Sequence, residues 1–184
     1  MIFEATPLAG AFLVDLERQD DSGDFFARSY CVDEFEAAGL ATEWPQCNVC
    51  FSARKGTLRG LHYNAEPYGE ARLVRCTMGA VYEVIVDLRP DSDSTLSWIG
   101  VELDARSRRG LYVPAGFAHG FITLSDDCEV LCQTSNRQAP LAARGLRYDD
   151  PALGVRWPVP VGVVSRRDRC FPDLDVREFL GVLP

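Results

Sequence analysis

Between residues 72 and 134 the chain is written in short apolar and β-branched runs, at 72–77, 81–88, 98–103, 110–113, 120–124 and 129–134. Turn-forming residues separate them: Met78-Gly79, Arg89-Pro90-Asp91, the stretch from Ser107 to Arg109, Pro114-Ala115-Gly116 and Ser125-Asp126-Asp127. Strands this short, at such close intervals, predict antiparallel pairing in a sandwich or barrel, because parallel units need long crossovers between strands. Helix is scarce. The spacing predicts one helix over 32–39, closed by Gly39, and a short one over 176–180. The expected architecture is all-β, a single domain over 1–184. It is a jelly-roll-like barrel of antiparallel strands with a few short helices, flanked by strands from the first 50 residues.

A barrel of this size encloses a cavity, so inward-pointing polar residues are the candidates for binding. Gln46, Asn48, Cys50 and Ser52 share one parity, and an alternating strand points all of them to one face. The same alternation puts Cys47 and Cys50 on opposite faces, which argues against Cys47-Asn48-Val49-Cys50 as a metal or redox pair. Cys128 and Cys132 on one strand would stand about 13 Å apart, too far to share an ion. Charge narrows the partners: 19 Lys and Arg against 27 Asp and Glu leave a net charge of −8. Such a field repels nucleic-acid backbones and anionic lipid, so neither nucleic acid nor membrane is an expected partner. No apolar run approaches the roughly 20 residues of a membrane span, and the first residues do not read as a secretory leader. Seven scattered cysteines, an odd count, read as reduced thiols in the cytoplasm.

Only two histidines occur. His62 lies in Arg59-Gly60-Leu61-His62-Tyr63-Asn64, and His119 in Pro114-Ala115-Gly116-Phe117-Ala118-His119-Gly120-Phe121. An isolated histidine is usually a satisfied structural group. Here Arg59 supplies a fork of donors suited to a phosphate, and Pro-x-Gly-x-x-His resembles the second cupin motif. Metal cupins generally use three histidines and a carboxylate, whereas Asn64 stands where a His-x-His pair would be completed, so no metal is expected. A histidine that works without metal needs a carboxylate to fix its tautomer and stabilise the imidazolium. Spacing does not identify that carboxylate.

Longer motifs follow one another in order: Arg59 to Tyr63, Ala71-Arg72-Leu73-Val74-Arg75, Val86-Asp87-Leu88-Arg89, Val113 to Phe121, Arg147 to Val155, and Ser165-Arg166-Arg167-Asp168. Together they resemble the dTDP-4-dehydrorhamnose 3,5-epimerase family over roughly residues 20–172. The resemblance implies a cupin-type jelly roll, a homodimer, and epimerisation of a nucleotide-linked 4-keto-6-deoxy sugar without cofactor. It also implies His62 as the base and Asp168 as its partner. Arg72 stands where the family usually has lysine, a cation for the enolate. Arg59 then matches a diphosphate-binding arginine; Gln46, Asn48 and His119 match polar residues around the substrate, and Arg28 is taken as a further substrate contact.

Four positions depart from the family pattern. Cys132 replaces the tyrosine expected as the opposing acid, which leaves Tyr63 or Tyr148 as substitute donors to look for. Gln138 replaces a tyrosine that stacks on the base, and it is kept as a substrate-binding candidate. Gly23 and Ala143 replace an arginine and a glutamate near the nucleotide. The base survives while the acid and the nucleotide grip are altered. Three readings stay open: an epimerase of changed scope, a related keto-sugar isomerase, or a non-catalytic nucleotide-sugar-binding module.

Overall fold

The central apolar runs are all strands, and the computed structural model describes residues 1–137 and 139–181. In chain order they form β1 (Ile2–Ala5), β2 (Phe12–Asp15), β3 (Arg18–Asp21), β4 (Asp24–Ala27), α1 (Val32–Ala37), β5 (Gln46–Ser52) and β6 (Thr57–Asn64). There follow β7 (Arg72–Met78), β8 (Ala80–Asp87), β9 (Trp98–Asp104), β10 (Gly110–Val113), β11 (Phe117–Thr123) and β12 (Cys128–Thr134). The chain closes with β13 (Ala143–Gly145), β14 (Val163–Val164), α2 (Arg166–Arg169) and α3 (Val176–Phe179). Among the expected strands β11 moves most: it begins at Phe117, directly after the turn that Gly116 makes at φ 83°. The first helix stops at Ala37, and Gly39, at φ 70°, turns the chain out of it.

Two sheets face each other. The first runs β1-β2-β10-β7-β12-β5 and the second β13-β6-β11-β8-β9, with β14 added in parallel on β6. Their inner faces meet in one apolar cluster. Val74, Cys76, Leu111 and Val130 come from the first sheet, and Val81, Ile85, Leu103, Phe117 and Phe121 from the second. This is the alternation of a sandwich, with every second side chain turned inward.

Both outer faces are partly covered. On the first sheet Val14, Leu73 and Tyr112 pack under α1, whose Phe35 is fully buried and meets Phe3, Tyr30, Trp44 and Tyr112 edge-on. On the second sheet Leu61, Val84, Val86 and Ala118 lie beneath Leu146, Leu153, Trp157 and Phe179 of the C-terminal segment. That segment also delivers α2 to the edge of β6. β3 and β4 form a separate hairpin, whose Phe25 sits between the guanidinium groups of Arg18 and Arg108.

Candidate active site

At one end the sheets part around a cavity of about 540 Å³. Strand parity decides what faces it. From the first sheet come Gln46, Asn48 and Cys50 on β5, Arg72 on β7, and Cys132 and Thr134 on β12. Cys47, of the other parity, is exposed on the outer face, as the alternation required. From the second sheet come Arg59, His62 and Asn64 on β6, and His119 and Phe121 on β11.

Arg59 and His62 are three residues apart, and a regular strand would turn them to opposite faces. The pairing of β6 with β11 slips by one residue between His119 and Phe121, and this irregularity brings both side chains inward. It rests on two glycines. Gly60 has φ 114°, and a Cβ on it would lie 2.6 Å from the Cα of Gly120, so neither a side chain nor an ordinary backbone fits there.

His62 and Asp168 meet. The imidazole Nε2 is 2.8 Å from Asp168 Oδ1, while the Gly60 N–H donates to Asp168 Oδ2 at 3.3 Å. Asp168 is buried in the four-residue α2, where its own N–H donates to the Ser165 hydroxyl at 3.0 Å. A carboxylate in this position accepts the Nε2 proton, which leaves the Nδ1 lone pair of His62 free to take a proton. The Ser165-x-x-Asp168 capping pattern is the sequence signal for α2.

Across the cavity, on the first sheet, Arg72 is almost completely buried. Its Nη2 pairs with Glu70 Oε1 at 2.5 Å, and its Nη1 lies 3.4 Å from the His62 carbonyl oxygen. Glu70 was not among the expected site residues. Cys132 shares this wall, and burial pushes its thiol up to about 12, against the pull of the Arg72 charge. Arg59 donates to the Ser52 hydroxyl at 3.3 Å, and Gln46 donates to Asn48 at 3.2 Å.

His119 stands directly opposite His62 in the register of β6 and β11. Its Nδ1 is 2.7 Å from Oε1 of Glu83, a fully buried glutamate that the motifs did not flag. Parity was the available signal: Glu83 alternates with Val81 and Ile85, which places a carboxyl on the apolar face of β8. Burial pushes Glu83 up to about 8, only partly offset by Arg72, and burial also holds His119 well below its usual range.

One expected contact lies elsewhere. Arg28 is not brought to this cavity by its own chain: its guanidinium is 3.0 Å from Glu34, beside the N-terminus. There it pairs with an acidic residue of α1, a contact that no motif announces. Gln138 lies outside the described residues. Gly23, at φ 100°, turns the β3–β4 hairpin, whereas Ala143 does line the cavity. Neither substitute donor reaches the site, since Tyr63 packs on the outer face of the second sheet and no tyrosine lines the cavity among the described residues.

The family profile described as dTDP-4-dehydrorhamnose 3,5-epimerase matches residues 5–175. A protein of that name from Shigella flexneri is 42% identical over 149 residues, covering 80% of this chain and 82% of that protein. A dTDP-4-dehydrorhamnose 3-epimerase from Streptomyces niveus is 35% identical over 178 residues, covering 96% of this chain and 86% of its own. Among solved structures, the dTDP-4-dehydrorhamnose 3,5-epimerase of Bacillus anthracis, with TDP and PPi bound, superposes with a TM-score of 0.90 at 36% identity. That match covers 94% of this chain and 99% of the other.

Proposed function

Since the chain belongs to the dTDP-4-dehydrorhamnose 3,5-epimerase family, we propose that it epimerises a nucleotide-linked 4-keto-6-deoxy sugar, with His62 as the base. The observation that carries this reading is the 2.8 Å pair of His62 with the buried Asp168 at the cavity wall. A ketone at C4 acidifies the hydrogens at C3 and C5. His62 Nδ1 takes one of them, and Asp168 stabilises the imidazolium that forms. The enolate oxygen then carries the charge, and Arg72 is the nearby cation to hold it. Arg59 is suited to the diphosphate, with Gln46 and Asn48 offering amides to the nucleotide sugar. A proton returned to the opposite face inverts the centre.

The test is proton exchange. Candidate dTDP-, CDP- and GDP-4-keto-6-deoxyhexoses incubated with the protein in heavy water should gain deuterium at C3 or C5, read by NMR. Exchange on none of them would favour the binding-module reading. Inversion at a single centre is favoured by one observation, the thiol of Cys132 where an acid is needed. The family contains both outcomes: the Shigella flexneri relative is a 3,5-epimerase and the Streptomyces niveus relative a 3-epimerase.

We also propose a homodimer. β5 is one of the two edges of the first sheet, and its outer face exposes Val49 (60%) and Phe51 (51%), with Met78 (47%) of β7 one strand further in, across Glu129. Edges and apolar faces of this kind are normally covered, and a second copy protects both at once. Light scattering at micromolar concentration should give a dimer, and Phe51→Glu should shift it to monomer. A monomeric wild-type protein would overturn the proposal. No helix among the described residues is long and apolar enough to cross a membrane.

A further inference from the structure

Glu83 has no place in the proton abstraction just described, yet it is the most deeply buried carboxyl beside the cavity. One of its oxygens is 2.7 Å from His119 Nδ1; the other, Oε2, is buried without a hydrogen-bond partner among the described residues. An ionised carboxylate would leave that oxygen's charge uncompensated, which is far costlier than leaving one oxygen of a neutral acid unpaired. His119 Nε2, the remaining ring nitrogen, has no partner among the described residues, and the imidazole lines the cavity with 15% of its side chain exposed.

We propose that Glu83 is a neutral carboxylic acid whose O–H donates to His119 Nδ1, so that His119 presents an Nε2–H donor to the cavity. Glu83 is thus a positioning residue. It selects one of the two imidazole tautomers, and the selected one offers a hydrogen bond to a carbonyl or enolate oxygen. The identity of that oxygen, the sugar's C4 oxygen, rests on the function proposed above; the protonation of Glu83 does not.

The surroundings agree. Facing Glu83 are His119 from β11, Arg72 from β7, Cys50 from β5 and Cys132 from β12, with Val101 opposite it on β9. His62 lies beyond His119. The one fixed positive charge in the set, on Arg72, is already bonded to Glu70. Burial accordingly pushes Glu83 up to about 8 and keeps His119 uncharged. Above that pH Glu83 gives its proton to solvent. The ring proton then moves from Nε2 to Nδ1 to meet the new carboxylate, and the donor toward the cavity is lost.

With only two histidines in the chain, long-range ¹H–¹⁵N NMR on histidine-labelled protein reads the tautomer directly. His119 should be the Nε2–H form at pH 7 and pass to Nδ1–H as pH rises through about 8. The deuterium-exchange rate should fall roughly tenfold by pH 9 over the same titration, because only the neutral acid supports the donor. In Glu83→Gln the pH-dependent change of tautomer should vanish, and so should the high-pH fall in rate. A stability readout is independent of any substrate. A carboxyl raised in the folded state contributes stability that is complete below its unfolded value and is lost as pH rises toward its folded value. Glu83→Gln should therefore melt like wild type at pH 4 and increasingly above it between pH 5 and 8. An Nδ1–H or doubly protonated His119 at pH 7 would overturn the proposal. If the tautomer changes as stated but no keto sugar exchanges, Glu83 keeps this role and the substrate reading fails instead.

Discussion

With alanine at position 62, deuterium incorporation at C3 and C5 should fall to the solution background while the protein still folds. His62 belongs to none of the buried apolar clusters, so its removal takes away a base without opening the core. General base catalysis is typically worth 10²–10⁴-fold, and in the proposed mechanism His62 is the group that takes the first proton. Asp168→Asn should come close behind. An amide no longer compels the Nε2–H tautomer, and in the analogous serine-protease dyad the same exchange costs on the order of 10⁴ in rate. Circular dichroism and melting curves separate lost chemistry from lost structure, which matters for Asp168 because it also accepts the Gly60 N–H. Exchange that survives in His62→Ala would place the base elsewhere and sink the dyad.

The second large effect concerns the return of the proton. His62 and Cys132 belong to opposite walls, which is the arrangement that removal from one face and delivery to the other requires. A thiol pushed up to about 12 by burial is a weaker acid than an ordinary phenol near about 10, and its side chain is shorter by a ring. Wild-type protein should therefore exchange protons faster than it inverts centres, or invert only one of C3 and C5. Cys132→Tyr should raise inversion relative to exchange, up to the 10²–10⁴-fold scale of a well-placed general acid. NMR of the product mixture gives both quantities from one sample. Inversion of both centres by the wild type at an ordinary enzymatic rate, on the order of 10 s⁻¹, would refute the missing-acid argument.

Much of this site was legible along the chain because strand alternation is a local rule. Gln46, Asn48 and Cys50 could be assigned to one face from parity alone, and Cys47 excluded from it by the same rule. What parity hid was the slip at Gly60, since a one-residue irregularity reverses every later assignment on β6. The His62–Asp168 pair spans 106 positions, and only the ordered motifs of the family linked its members. Glu70 and Glu83 carried no motif. Their importance comes from what lies across the cavity and from burial, both of them consequences of the folded chain. Arg28, assigned by resemblance, is held by a local charge partner away from the cavity of its own chain, a contact that no motif announces.

In the proposed mechanism the proton donor's place and the base's place belong to separate layers, which gives the scaffold a modular chemistry. His62, His119, Glu83 and the Gly60–Gly120 contact all sit in the second sheet, whereas Cys132, Arg72 and the β5 amides sit in the first. Mutational drift in β12 would thus change which stereoisomer leaves while the base on the second sheet stays intact. On the proposed mechanism a lineage, or a designer, can change the product by editing β12 alone, provided that Arg72 on neighbouring β7 is left to hold the enolate.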